Sequence, residues 1–224
     1  ALALAERERH AEAEAAALAA VAARPDSPEA VLTLAEVHRG ADKHAEAAAA
    51  IDALAARSGE DSLDWQMLFA RGVALERSGQ WPRAEADLQK ALSLQPENPE
   101  LLNYLGYAWV DRGTHVEEGM ALVERAVAQR PRSGAIQDSL GWAKYRLGRF
   151  DEALPILELA VELEPGDPEI NEHLGDVYWK VGRRREAEFQ WRRVLTLNPD
   201  PARRATVEAK IRDGLPEAAA GGAR

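Results

Sequence analysis

The residues able to do chemistry are numerous in this chain, but they do not converge. Five histidines are scattered along 224 residues. His38 and His44 stand on either side of a predicted turn, and a metal held between them would still lack partners, so both are read as structural or solvent-facing. Cysteine is absent, which excludes a disulfide frame, a thiolate zinc site and a cysteine nucleophile together. There is no phosphate-cradling glycine loop, no His-Glu-x-x-His, no Gly-x-Ser-x-Gly and no calcium loop. Carboxylates abound, yet most fall at helical positions where they solubilise. The expectation is no catalytic residue, no metal site and no cofactor. Thirty-eight acids against 28 bases leave a net charge of -10, which would repel phosphates and argues against nucleic acid as a partner. No stretch approaches the roughly eighteen uninterrupted apolar residues that a spanning helix needs. The opening Ala1-Leu2-Ala3-Leu4 carries neither a charged start nor a cleavage site, and is expected to be a mature or trimmed segment.

With no reacting constellation, the informative feature is what holds the polar groups in place. Alanine, leucine, glutamate and arginine dominate, and aromatic residues are only 6%, a helical composition. Four segments carry a Gly, a second Gly seven residues later, and a Pro 24 or 25 residues after the first. They are Gly72, Gly79 and Pro96; Gly106, Gly113 and Pro131; Gly141, Gly148 and Pro165; and Gly175, Gly182 and Pro199. The first glycines stand 34, 35 and 34 residues apart, and the one extra residue falls in the predicted loop Thr114-His115-Val116-Glu117. A fixed period of this size signals a helical repeat. The first Gly sits within a helix, where it costs about 1 kcal/mol against Ala, a loss explained if a neighbouring helix must approach closely. The second Gly closes that helix, and a second apolar-periodic run follows it. In Ala84, Leu88, Ala91 and Leu92, and in Ala153, Leu157, Ala160 and Val161, small and large apolar residues share one face. Pro then stops the second helix. Asn-Pro-Glu at 98–100 and Gly-Asp-Pro-Glu at 166–169 supply the turn and start of the next. Pro155 lies inside a second helix, where its missing amide could bend it.

These marks resemble the tetratricopeptide repeat. Leu174-Gly175-Asp176-Val177-Tyr178, with Ala187, Trp191 and Pro199, is similar to the family's Leu-Gly-x-x-Tyr pattern. Leu140-Gly141, Ala153, Ala160 and Pro165 match in the preceding repeat, although Lys144 stands where Tyr is expected and Tyr145 is one place late. Leu105-Gly106, Trp109, Ala126 and Pro131 match before that, with Gly119 for the usual Ala. Gly72, Ala84, Ala91 and Pro96 match in a repeat with Arg71 in place of Leu. The expected layout is a partial repeat at 1–27, a degenerate repeat with a lengthened exit loop at 28–64, and repeats at 65–98, 99–133, 134–167 and 168–200. A capping helix at 201–213, with Val207 and Ile211 covering the last repeat, and a flexible tail at 214–224 complete it. The resemblance implies an all-α, right-handed superhelical solenoid of antiparallel helix pairs, about five repeats plus the cap, with first helices lining a concave groove. Asn103-Tyr104-Leu105-Gly106-Tyr107 and Asp138-Ser139-Leu140-Gly141-Trp142 carry a narrower likeness to bacterial envelope repeat proteins, including outer-membrane lipoproteins that act as adaptors for carboxy-terminal processing proteases. That likeness implies a periplasmic or outer-membrane location; the residues alone leave the compartment open, cytoplasm included.

The resemblance also assigns a groove. In this family, positions 2, 5, 9 and 12 of the first helix face the concave side, a helical stripe. Carried onto this chain it selects Asn103, Tyr107 and Val110, then Asp138, Trp142 and Tyr145, then Glu172, Asp176 and Trp179. The rings offer rigid anchoring area for a protein or peptide segment, and the acids favour a basic or amine-bearing one. Equally, the rings could pack between neighbouring first helices. Chaperone-binding members clamp a terminal carboxylate with Lys and Asn at positions 5 and 9. Here those positions hold Phe69 and Val73, Asn103 and Tyr107, Asp138 and Trp142, and Glu172 and Asp176, so acidic chaperone tails are not expected to bind. Lys180 to Arg204 is locally basic. Arg183, Arg184, Arg185, Arg192 and Arg193 are either a docking patch for an acidic protein or anionic headgroups, or a solvated face with local pairs. The reading is a non-enzymatic scaffold or adaptor. The alternative is a structural spacer or oligomerisation arm whose incomplete N-terminal repeat is the interface, because a cut repeat exposes an apolar face.

Overall fold

The computed structural model describes residues 10–215. Among these the chain is all helical, with twelve α-helices, one 3-10 turn and no strand. It divides into two compact units, residues 1–101 and 102–224.

The first unit contains α1 (His10–Ala23), α2 (Pro28–Gly40), α3 (His44–Ser58), the 3-10 turn Glu60–Ser62, α4 (Trp65–Arg77) and α5 (Trp81–Leu94). Helix α6 (Pro99–Arg112) starts here and continues into the second unit. Helix starts are chemically marked. Ser27, Asp64 and Asn98 each accept hydrogen bonds from the first free amides of α2, α4 and α6, satisfying donors that have no partner within the helix. At the end of α2, Asp42 stands where the later repeats have their second glycine. Asp42 takes the left-handed conformation at φ 56°, as Gly79 does after α4 at φ 80°, and Asp is among the few residues that adopt it readily. In both cases the next amide folds back onto the helix: Lys43 to the His38 carbonyl at 2.9 Å and Gln80 to Leu75 at 2.8 Å. The core joins Ile51, Leu54, Met67, Leu68, Leu75 and Leu101 around Ala84 and Ala91. Small residues on α5 let α4 approach, and large ones on α4 fill the space.

Arg71 stands at a core position of α4 and is 5% exposed. Its guanidinium donates to Asp87 at 2.7 and 2.9 Å, to Glu60 at 2.8 and 3.1 Å, and to Asp52 at 3.0 Å. Glu60 belongs to the lengthened exit loop, so the two departures from the repeat pattern in this region explain each other. The insertion carries the carboxylate that the substituted arginine requires.

The second unit continues with α7 (Val116–Gln129), α8 (Gly134–Arg146), α9 (Phe150–Leu163), α10 (Pro168–Lys180), α11 (Arg184–Thr196) and α12 (Pro201–Asp213). The loop expected at 114–117 is shorter than its sequence suggests. Val116 and Glu117 are already helical, and His115, at φ 45°, is the residue before the first turn. Gly106 and Gly119 are a matched pair. A Cβ on Gly106 would lie 2.6 Å from the Gly119 carbonyl, and one on Gly119 would lie 2.7 Å from the Gly106 carbonyl, so α6 and α7 meet backbone to backbone. Helix α9 runs through Pro155 as one element. Trp191 is fully buried with Leu157, Val177, Val194 and Val207, and its side chain contributes roughly 4–6 kcal/mol of burial. The segment expected as a tail lies outside the described residues from 216 onward. Its first two residues are packed: Gly214 lies against the Trp179 ring, and Leu215 sits against the core beneath α12.

Candidate functional site

The first helices of the second unit are α6, α8 and α10, and α12 packs on as though it opened another repeat. Three ion pairs join successive members. Asp111 of α6 takes Arg146 of α8. Asp138 of α8 takes His173 of α10, whose Nδ1 lies 3.0 and 2.9 Å from the two carboxylate oxygens. Asp176 of α10 takes Lys210 of α12 at 2.9 and 2.7 Å. In each rung the acid and base stand 35, 35 and 34 residues apart, one repeat in every case. Lys210 also donates to Glu172 at 2.6 Å, and Arg203 to the other oxygen of Glu172 at 2.7 Å. The Trp191 indole donates to Asp176 at 2.9 Å.

This ladder sets the chemistry of the expected groove. Asp138, Glu172 and Asp176 are 6%, 7% and 4% exposed, and all three are held by bases of this chain. Burial pushes the Asp176 carboxyl up, and the Lys210 ammonium and its hydrogen bonds pull it partly back. The aromatic residues are partly buried. Trp142 stacks on Tyr145 at 4.6 Å between ring centres and on His173 at 3.9 Å. Trp179 leans on Trp191 and carries the Arg184 guanidinium 3.7 Å over its ring. Tyr107 is partly buried; burial, aided by Asp111, Glu169 and Asp138, holds its phenol above the ordinary range. Tyr145 is pushed up to about 12, first by burial and then by Asp176. Both phenols are therefore neutral donors at neutral pH. The Asn103 Oδ1 is buried without a hydrogen-bond partner among the described residues. Between α8, α10 and α12 lies an open cleft of about 420 Å³, walled by Trp142, His173, Glu169, Glu172, Arg203 and Lys210.

The arginines of α11 and its approach are mostly engaged locally. Arg183 pairs with Glu186 and Glu158 and covers the Tyr178 ring; Arg192 pairs with Glu188; and Arg193 donates to the Pro165 carbonyl. Arg185 is exposed, and Phe189 on the same helix is 66% exposed.

Sequence reasoning selected the acids and rings but missed Arg146, His173, Arg203 and Lys210. The signal was present for three of them: Asp111, Asp138 and Asp176 each have a base one repeat period downstream. Among the described residues no group of three or more His, Cys, Asp or Glu is placed to hold a metal, and no helix is long and apolar enough to cross a membrane.

Stacked helix pairs joined through paired first helices define a helical-repeat protein. The chain belongs to the tetratricopeptide repeat family, whose models match residues 1–62, 32–81 and 69–134, and residues 144–211. It is 34% identical over 90 residues to the TPR repeat-containing protein PA4667 of Pseudomonas aeruginosa; the match covers 40% of this chain and 15% of that relative's length. Among solved structures it resembles a chain of the Cut9–Hcn1 APC/C hetero-tetramer, with TM-score 0.77, 18% identity, and coverage of 93% of this chain and 40% of that one. A tetratricopeptide repeat protein of Parabacteroides merdae gives TM-score 0.74 at 18% identity, covering 94% and 82%. The thermophilic TPR protein TTC0263 of Thermus thermophilus gives 0.70 at 19%, covering 83% and 100%. At such identities the likeness is one of fold, an all-α helical-repeat solenoid.

Proposed function

We propose that this chain is a non-enzymatic scaffold that holds a protein or peptide segment on the first-helix face of its C-terminal unit. The carrying observation is the partly exposed row Tyr107, Trp142 and Tyr145 beside the open cleft. Trp142 and Tyr145 are fixed by stacking on each other and on His173, so they lose little entropy when a partner covers them and make good anchors. The α12 end of the same stripe is filled by Arg203 and Lys210, so the contact surface centres on Asn103, Tyr107, Trp142 and Tyr145, with Glu169 at the rim. In its narrower form the scaffold is a bacterial envelope adaptor for a protease or other assembly. That form is supported by the motifs at 103–107 and 138–142 and by a bacterial relative.

The test is capture from bacterial envelope extract, followed by binding of the purified partner to wild type and to an Asn103→Ala, Tyr107→Ala variant of matched helicity. These positions are preferable to Trp142 and Trp179, whose loss would also disturb the chain's own packing. Loss of the partner with the variant supports the reading; equal retention removes this face from consideration. The second reading, a spacer or oligomerisation arm, has one observation in its favour: Leu18 on α1 is 49% exposed. Sedimentation that shows self-association abolished by Leu18→Glu would favour it. The local pairing of Arg183, Arg192 and Arg193 supports a solvated basic face over a docking patch.

A further inference from the structure

The three rungs of the ladder differ in one respect. Two of them use an arginine and a lysine as the base, and the third uses an imidazole, the side chain whose ordinary value lies closest to neutrality. His173 is 7% exposed, and its Nδ1 faces both oxygens of Asp138. A carboxylate there accepts from Nδ1–H, so the proton that the ring gains or loses is the one on Nε2. The ring lies at 14° to the Trp142 indole, 3.9 Å away, so any charge on it rests against an aromatic face. The groups that bear on it are Asp138 on α8, Glu169, Glu172 and Asp176 on α10, and, across the cleft, Asp200 at the cap of α12 with Arg203 and Lys210 on that helix. Arg203 and Lys210 are already bound to Glu172 and Asp176, so the surplus around the imidazole is negative.

We propose that the Asp138–His173 rung is a proton-operated clamp between α8 and α10: imidazolium ties the two helices tightly beneath Trp142, and the neutral ring relaxes the tie. Burial by itself would lower the imidazole's proton affinity. The charge and hydrogen bond of Asp138, with Glu169 and Asp176, outweigh it and hold His173 above its ordinary value of 6.5. A group raised in the folded state adds stability that is complete below the unfolded value and is lost as pH rises through the folded one. The rung is therefore tightest below the ordinary value of 6.5 and loosens as pH rises through the higher folded-state value, when the ring loses its charge but keeps its Nδ1–H on Asp138. This holds whether or not the face carries a partner, so the clamp and the scaffold can fail separately.

The test is a 15N-histidine NMR titration of the full chain, with His173 assigned by His173→Gln, alongside thermal unfolding against pH. The His173 midpoint is expected above the ordinary value and to fall in Asp138→Asn. The melting temperature of wild type is expected to drop by about 2–4 °C relative to His173→Gln between about pH 6 and about pH 9, the scale expected of one charged contact in a chain of this size. A midpoint at or below the ordinary value, or one indifferent to Asp138→Asn, overturns the proposal, as does a gap in melting temperature that stays flat with pH. Should a variant fail to fold, His173 is assigned from its through-space contacts with the Trp142 ring, and the wild-type midpoint decides alone.

Discussion

Arg71 shows how one residue can break a family pattern without breaking the fold. A buried guanidinium is tolerated only when its donors are met, and Asp87, Glu60 and Asp52 meet them. Restoring the leucine that the repeat prefers should therefore be harmful: Arg71→Leu strands the buried Asp87 and is expected to cost about 3 kcal/mol in urea unfolding. The double change Arg71→Leu, Asp87→Leu should recover most of that loss, because the unpaired charge goes with its partner; equal instability of the two variants would refute the account. The same cluster sets an acid limit. Arg71 holds the Glu60 carboxyl below 4.5, so its contribution is present above that value and lost as pH falls through the folded one. The stability difference between wild type and Glu60→Gln should hold steady from neutrality down to about 4.5 and shrink as pH falls further; a difference independent of pH would show that Glu60 acts by packing alone.

At the scale of elements, the period of the glycines identifies helix pairs, but it does not say which pairs touch backbone to backbone. Gly119 looks like a weak spot, since the family favours Ala and a helix gains about 1 kcal/mol from that exchange. The α6–α7 approach reverses the sign. With its Cβ 2.7 Å from the Gly106 carbonyl, Gly119→Ala is expected to destabilise by about 1–3 kcal/mol, the usual cost of overpacking. Chemical denaturation decides it, and a more stable variant would mean that α6 and α7 can part at no cost. Element boundaries were legible from Pro28, Pro99, Pro168 and Pro201 at helix starts and from the left-handed residues after helix ends. The 114–117 loop was less legible: a histidine in the left-handed conformation, at φ 45°, leaves no reliable sequence mark.

For the whole molecule, the division into two units predicts that loss of stability is local. Ending the chain after Pro199 removes α12, and with it Val207, Lys210 and Arg203. Glu172 and Asp176 would lose their bases, and the Trp191 core would lose its cover. Hydrogen exchange should then rise in α10 and α11 while α3 to α5 keep their protection. Uniform loss of protection along the chain would mean that the units unfold as one. The basic end belongs to this scale too. The chain carries -10 overall, yet the arginines of α11 are largely consumed by neighbours, so local charge density alone is a poor guide to a docking surface.

The sequence by itself determined the class of structure: a 34-residue period with fixed small residues allows few arrangements other than stacked helix pairs, because each pair must bury its apolar face on the next. It also carried, unnoticed, the one-repeat spacing of Asp111, Asp138 and Asp176 from Arg146, His173 and Lys210. Only the tertiary structure decided what those residues do. A carboxylate on a first helix reads the same in sequence whether it faces a ligand or the chain's next helix, and the difference is a few ångströms of packing. Placing α12 against α10 turned an acidic lure into a filled ion-pair ladder, and placing His173 beneath Trp142 made one rung of it sensitive to protons.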